Sequence, residues 1–335
     1  MLSILLLLSV ADVPSEPALT LFPPRVELVG RDARQQLLVR GATDLTREAK
    51  YRSEQPAIVA VSPQGVVTPV GDGEGFIVAK VAGREIRVTV RVRGTDADRP
   101  ATFERDILPI LTRAGCNSGP CHGKARGQGG FQLSLLGYDP DFDYAAIVNE
   151  GRGRRLFPAS PEHSLFLRKA AAQVPHGGGK RLEAGSVGYN TLRGWIAVGT
   201  PRTPADAPTV ERISVEPSER RLTPRASQQL VVTAHYTDGS RADVTHLTTF
   251  QSSESVLAAV HADGLITAGP LPGEAAIMAR FMDRFAVCNV VMPMPGSVDE
   301  SVYARLPRKN FIDGHVWAKL KELGIVPSEP SEDLT

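Results

Sequence analysis

Two cysteines and a histidine lie close together near the middle of the chain, in the segment Cys116-Asn117-Ser118-Gly119-Pro120-Cys121-His122. Two thiols can add across the two vinyl groups of a haem, and a histidine directly after the second thiol can reach the iron from the proximal side. The segment therefore predicts one covalently bound haem c, with Cys116 and Cys121 as the thioether residues and His122 as the proximal iron ligand.

The spacing of the cysteines leaves other chemistry open. Four residues separate the thiols, whereas haem attachment usually has two, and Gly119 and Pro120 would let the longer loop fold back. A Cys116–Cys121 disulfide forms easily in an exported protein. A zinc site would require the adjacent Cys121 and His122 to bend around one tetrahedral ion. A pair of unlinked thiols is the remaining alternative.

The second iron ligand is predicted by elimination. The segment from Gly94 to Pro208 contains no Met, so His163 and His176 are its other candidate ligands besides His122. His176, in Val174-Pro175-His176-Gly177, is the first choice, on the ligand loop that the resemblance described below implies ahead of the last helix. His163 is the second choice and is expected to cap a helix instead, and an open or Lys-bound position is a further alternative. Two His ligands would give a lower potential than His and Met.

Positive charge is concentrated in this part of the chain, where thirteen basic residues between Phe103 and Thr203 face eight acidic ones. Arg154 and Arg155 are predicted to contact the haem propionates or to steer an acidic redox partner. A solvated charged loop is the alternative explanation for these two arginines.

Two predicted helices position these residues. Apolar residues recur at helical spacing before the first cysteine, at Phe103, Ile107, Ile110 and Leu111. This first helix is expected to end at Gly115. A second helix between Tyr189 and Gly199 has an apolar face formed by Leu192, Trp195 and Ile196, and the two helices are predicted to pack together.

The stretches FERDILPILTRAGCNSGPCHG, GQGGFQLSLLGYDP and LRGWIAVGTP occur in this order and together resemble the planctomycete-type cytochrome c-like domain. The resemblance covers Phe103 to Pro201. It implies a small all-α haem domain, over residues 101–203, that passes single electrons to an unidentified redox partner.

A repeat brackets this central segment. The sequence from Tyr51 to Lys80 matches that from Phe250 to Arg280 with one inserted residue. In each copy, short runs of alternating apolar residues are separated by turn residues every eight to twelve positions, which is typical of a β-sandwich. The repeat predicts two sandwiches, over residues 18–93 and 209–295.

The copies resemble bacterial Ig-like group 2 domains. The resemblance rests on an opening strand with Pro, a Q-L-x-V strand and the turn from Asp238 to Thr245. The first copy is expected to lack the Asp-Val-Thr part of that turn. The resemblance implies spacers or adhesion modules that contact a cell-surface protein or glycan. The histidines of the second copy are predicted to be surface or structural residues, and Cys288 a buried small hydrophobe.

The composition agrees with a multidomain, mainly β fold, with two Ig-like β-sandwiches flanking the small all-α domain. In 335 residues, 38 Lys and Arg balance 37 Asp and Glu, which excludes a dedicated nucleic-acid-binding protein. An apolar content of 42% excludes a disordered chain, and 31 Gly with 26 Pro favour short strands joined by turns.

The ends of the chain carry two further predictions. An apolar run from Leu2 to Val10 ends in the small-residue pattern Ser9-Val10-Ala11. This predicts a signal peptide within residues 1–17, and hence export to the periplasm or cell surface. No other segment has the roughly 20 apolar residues of a membrane span. Residues 305–335 resemble the start of a large domain of unknown function in planctomycete multidomain proteins, which predicts a truncated C-terminal domain.

The sequence thus favours an exported c-type haem protein that transfers electrons and is not an enzyme, because it contains no catalytic constellation. Two alternatives remain. One is a haem-free surface or adhesion module with a Cys116–Cys121 disulfide, and the other is the accessory arm of a separate hydrolase.

Overall fold

A computed structural model describes residues 18–97, 99–296 and 298–328. The predicted signal peptide and the last residues of the predicted C-terminal domain lie outside this part. The described chain forms a first β-sandwich, a helical middle region, a second β-sandwich and two closing helices. None of the helices in these ranges is long and apolar enough to cross a membrane.

The first sandwich has nine strands. They are β1 (Thr20–Phe22), β2 (Arg25–Val29), β3 (Gln35–Gln36), β4 (Leu38–Arg40), β5 (Lys50–Ser53), β6 (Val59–Val61), β7 (Val66–Pro69), β8 (Gly73–Val81) and β9 (Arg84–Arg93). The sheets have the orders β2-β9-β8-β5, β3-β7-β6 and β1-β4. The strands form where apolar and polar residues alternate. In β9, Val88, Val90 and Val92 point into the core while the residues between them face outward.

The second sandwich repeats this strand order. Its strands are β10 (Val210–Glu216), β11 (Glu219–Arg221), β12 (Ser227–Gln229), β13 (Val231–Tyr236), β14 (Arg241–Asp243), β15 (Thr249–Ser252), β16 (Ala258–Val260), β17 (Leu265–Ala268), β18 (Gly273–Phe281) and β19 (Arg284–Met292). The sheets run β11-β19-β18-β15, β12-β17-β16 and β10-β13-β14, so each sheet of the first copy has a counterpart. Cys288 lies fully buried on β19, as the sequence predicted.

The expectation that the first copy lacks the Asp-Val-Thr turn is wrong. In the second copy, Asp243 Oδ1 accepts a hydrogen bond from the Thr245 N–H, and Thr245 Oγ1 accepts one from the Val232 N–H. The segment Asp44-Leu45-Thr46 makes the equivalent bonds in the first copy. Asp44 Oδ1 accepts from the Thr46 N–H, and Thr46 Oγ1 accepts from the Val39 N–H. The turn was missed because the hairpin before it is six residues shorter in the first copy, with Thr46 seven residues after Val39 and Thr245 thirteen after Val232.

Four short helices build the middle region: α1 (Leu108–Arg113), α2 (Pro140–Val148), α3 (Leu165–Ala170) and α4 (Val187–Ala197). A π-helical turn, Phe103–Ile107, precedes α1. Pro109 has no N–H to donate to the turn before it, which weakens the regular α-helical ladder there. Less than half of this region is helical, so it is a loop-rich structure and the compact all-α cytochrome c-like domain expected from the sequence is not observed.

The apolar face of α4 forms the centre of the middle region. Leu192, Trp195 and Ile196 are completely buried there, and the Trp195 ring lies 5.7 Å from that of Phe103. Burial of a side chain of this size contributes about 2–3 kcal/mol. The predicted packing between the first and last helices of the segment is therefore present.

Two helices follow the second sandwich, α5 (Glu300–Ala304) and α6 (Phe311–Leu323). Asn310 caps α6 through a reciprocal pair of hydrogen bonds with Asp313, and Gly324 ends it in the left-handed conformation at φ 65°. The Met294 N–H donates to the carbonyl oxygen of Leu323, which ties α6 to the end of the second sandwich.

Candidate functional site

Helix α1 delivers Cys116 to the site. Gly115 ends the helix at φ 73°, a conformation that Gly adopts without strain, and the Cys116 N–H donates to the Leu111 carbonyl at 2.9 Å. The thiol lies against the apolar core of the middle region. Burial raises the pKa of the Cys116 thiol to about 12, so the group is protonated at neutral pH.

The loop from Cys116 to Gly123 is closed by its own backbone. The His122 N–H donates to the Cys116 carbonyl at 3.0 Å, and the N–H groups of Cys121 and Gly123 both donate to Ser118 at 3.0 Å. These bonds bring the two cysteines and the histidine onto one compact turn. Both cysteines are free thiols in the structure and both are partly exposed.

Two further residues fix this loop. Asn117 is fully buried and its amide donates to Thr112 Oγ1 at 2.8 Å, while its own side-chain oxygen has no hydrogen-bond partner. Gly123 passes so close to the chain that a Cβ atom there would lie 2.1 Å from the Asn117 carbonyl oxygen. Position 123 therefore accepts only Gly without a shift of the backbone.

His122 is held in one orientation by a backbone carbonyl. Its Nδ1 lies 2.9 Å from the Phe131 carbonyl oxygen, and its ring packs against the Phe131 ring at 4.6 Å between centroids. A carbonyl can only accept, so Nδ1 carries the proton and Nε2 keeps its lone pair. Burial is the main reason that the pKa of His122 is lowered, and nearby cationic groups lower it further, so the ring is neutral at pH 7.

His176 lies beside His122 in the structure. The ring centroids are 6.3 Å apart and the ring planes are within 12° of parallel. His176 Nδ1 is 2.8 Å from the Gly179 carbonyl oxygen, so this ring too keeps Nε2 as a potential ligand atom. The loop is anchored by the Arg181 N–H, which donates to the Ala170 carbonyl.

Arg181 is the site residue that the sequence reasoning missed. Its Nη2 lies 3.4 Å from Cys121 Sγ, close enough to donate a weak hydrogen bond to the sulfur. The two residues are sixty positions apart, so no local pattern could have paired them.

The remaining predicted site residues have other partners. His163 is exposed in a 3₁₀ turn before α3, where its Nδ1 lies 2.7 Å from Ser160 Oγ. Arg154 is exposed on the surface. Arg155 is buried, and its terminal nitrogens donate to the Ala146 and Gly130 carbonyls at 2.9 Å each, with its guanidinium over the Phe131 ring. The propionate contacts predicted for both arginines stay a prediction.

No family model matches the chain, and no curated protein matches it. Domains 5–6 of the S-layer protein SbsC are similar to it with a TM-score of 0.31 and 12% identity, over 83% of this chain and 100% of that one. SbsC domains 1–6 give a TM-score of 0.23 and 11% identity over 85% of this chain, which spans 28% of their length. Extracellular domains 3–5 of Drosophila OTK give a TM-score of 0.19 and 8% identity, over 82% of this chain and 60% of that one. Similarity this weak carries no conclusion about activity.

These findings correct the family assignment. The segment that resembles a planctomycete-type cytochrome c-like domain matches no family model. Within residues 18–97, 99–296 and 298–328, no group of three or more His, Cys, Asp or Glu side chains is placed to hold a metal ion. The assignment to that family and to a planctomycete multidomain protein is wrong. A short Cys-x4-Cys-His segment closes into a hydrogen-bonded turn by itself, so it does not specify a family. The structure itself establishes two β-sandwiches whose sheets have matching strand orders.

The close approach at Gly123 gives a direct test of this loop. Replacing Gly123 by Ala should destabilise the middle region by about 2 kcal/mol or more, because the added methyl group collides with backbone atoms. Gly119→Ala is the matched control, since no atom lies within 4 Å of a Cβ there. Thermal unfolding should show a melting temperature lowered by about 10 °C for Gly123→Ala. Equal melting temperatures for the two variants would contradict the described loop.

Proposed function

We propose that the chain is a modular surface protein of the cell envelope, in which two Ig-like sandwiches are spacers and contact modules that hold the middle region between them. The observation that carries this proposal is the joining of the modules. Hydrogen bonds and ion pairs connect the two sandwiches, among them Arg40 with Glu216 at 2.6 Å and Arg47 with Asp263 at 2.6 Å. These contacts hold the two sandwiches against each other.

The middle region is attached to the second sandwich as well. Leu247, in the turn after β14, packs against the apolar core of the middle region. Arg113 Nη2, at the end of α1, donates to the Ala262 carbonyl at 2.7 Å. Three modules joined in this way suit a surface protein that presents one region at a fixed position. The apolar run from Leu2 to Val10 supports export of the chain.

Surface labelling of intact cells tests the proposed location. The full chain, expressed from its own start in a bacterium that encodes it and carrying a C-terminal tag, should react with a membrane-impermeant amine reagent or be released with the periplasmic fraction. A cytoplasmic protein with the same tag is the control and should react only after lysis. Recovery of the chain only with the cytoplasmic control would contradict the proposal.

A second candidate function is the binding of a covalent haem at the Cys116–His122 loop, and the proximity of two histidines supports it. The ring centroids of His122 and His176 are 6.3 Å apart, and a carbonyl oxygen at Nδ1 leaves Nε2 of each ring as the potential ligand atom.

Four residues have the chemistry that this group would need. Cys116 and Cys121 would each add an S–H bond across one vinyl double bond, a step that consumes no oxidant or reductant. His122 and His176 would hold the iron, which when bound supplies single-electron chemistry. In the haem-free alternative the same two thiols would form a disulfide, which requires loss of two hydrogen atoms to an oxidant.

Expression with a cytochrome c maturation system separates these outcomes. A covalent haem predicts a coloured product that retains its haem in a denaturing gel and increases in mass by one haem. His176→Ala should then change a low-spin visible spectrum to a high-spin one with the haem still attached, whereas His163→Ala should leave the spectrum unchanged. A colourless product lighter than the reduced chain by two hydrogen atoms would reject the haem and support the disulfide.

A further inference from the structure

One row of side chains on the outer face of the second sandwich differs from its counterpart in the first. In this row, Arg280 on β18 lies between Thr249 on β15 and Phe285 on β19. Cross-strand partners point to the same face of a sheet, with their Cβ atoms about 5 Å apart. Ala279 and Phe281, the neighbours of Arg280 along β18, belong to the apolar core, so the row faces away from the core.

Arg280 is buried although it lies on this outer face. The residue is 8% exposed. An arginine buried to this extent is nearly always paired. In the described part of the chain, however, the Arg280 guanidinium has no ion pair and no hydrogen bond. Burial lowers the pKa of this guanidinium, and no charged group among the described residues counters that effect.

The hydroxyl group next to Arg280 has no partner either. Thr249 Oγ1 is fully enclosed and makes no hydrogen bond within the described ranges. The same ranges contain no Arg280 nitrogen that is both enclosed and unpartnered, so the guanidinium still reaches the surface. An arginine offers five N–H donors and a threonine one O–H donor. The row therefore presents donors without an acceptor.

The first sandwich shows which partner is missing. Its equivalent row consists of Lys50, Lys80 and Glu85. Lys80 Nζ lies 3.8 Å from Glu85 Oε1, and both side chains are about half exposed. In the second sandwich, the position of Glu85 is occupied by Phe285, which is uncharged and 57% exposed. A carboxylate thus accompanies the cation in one copy and is missing from the row of the other.

We propose that Arg280 binds the carboxylate group of a small ligand, in the place that the Glu85 carboxylate has in the first sandwich. The Thr249 hydroxyl is an adjacent donor, and the exposed Phe285 ring contacts the apolar part of the ligand. A guanidinium can bind a carboxylate through two parallel N–H···O bonds.

The charge of the row selects the class of ligand. Arg280 is the one cation of the three residues, and its single positive charge neutralises a carboxylate, whereas a phosphate dianion would keep a negative charge in a partly buried place. The ligand is therefore an acidic sugar or a short organic acid. The site lies within one sandwich, so it is independent of the surface location and of the haem binding proposed above.

A titration of the full chain followed by NMR tests the site. The probes are glucuronate and acetate at constant ionic strength, and glucose is the uncharged control. Backbone amide resonances around Arg280 should shift in a saturable manner with glucuronate and stay unchanged with glucose. Saturation by acetate as well assigns the binding to the carboxylate alone, and saturation by glucuronate only assigns it to an acidic sugar. The absence of a saturable shift with both acids would overturn the proposal.

Substitutions of the cations assign the binding to one residue. Arg280→Gln removes the charge and should weaken binding of the acid about tenfold or more, because hydrogen bonds to a charged group are lost. Lys80→Gln is the matched control in the first sandwich and should bind like the unmodified chain, since Lys80 already has Glu85 as its partner. Full binding by Arg280→Gln, or loss of binding in Lys80→Gln, would overturn the assignment to Arg280.

A second pair of variants leaves Arg280 in place. Phe285→Glu rebuilds the ion pair of the first sandwich and should abolish binding, because the new carboxylate occupies the guanidinium. Phe285→Gln is its uncharged counterpart and should retain acetate binding. Phe285 is 57% exposed, so both variants should unfold at the same temperature as the unmodified chain or above it. Full binding by Phe285→Glu, or equal loss in the two variants, would overturn the proposal.

Discussion

The arrangement of the molecule depends on a pair of carboxylates that each have one oxygen in their own turn and one in the other sandwich. A backbone N–H that is buried without a partner costs free energy, and here the partner of the Gln36 N–H is supplied by Asp243 in the opposite module. The Gln229 N–H has the same relation to Asp44. The relative position of the sandwiches is therefore fixed by hydrogen bonds whose loss leaves donors unsatisfied.

This constraint extends to the candidate site. The turn that contains Asp243 continues to Leu247, which packs on the core of the middle region. Helix α1 ends against the same sandwich through Arg113, and Cys116 follows three positions later. The loop with the cysteines and His122 is thus connected to the junction of the three modules by one short helix, and its position relative to the sandwiches depends on that junction.

The sequence predicts the sandwiches and the site to different extents. Alternating apolar residues and the repeat predict both sandwiches, and helical spacing predicts the packing of Trp195 near Phe103. The family expected for the middle segment is wrong, because the conformation of the loops around the short motif depends on backbone contacts, such as that at Gly123, which the sequence does not show. The reciprocal interface could not be predicted, since Gln36 and Asp243 are 207 residues apart and no local pattern joins them.

Docking of the two sandwiches in solution is the central claim, and a zero-length cross-link between them tests it most directly. Arg47 and Asp263 form an ion pair at 2.6 Å, so Arg47→Lys places an amine beside that carboxylate, which a carbodiimide can convert to an amide. Mass spectrometry should find a peptide joining position 47 to Asp263, together with the link between Lys319 and Glu274, whose groups are 3.0 Å apart. Recovery of the Lys319–Glu274 link without the one at position 47 would contradict the docked arrangement.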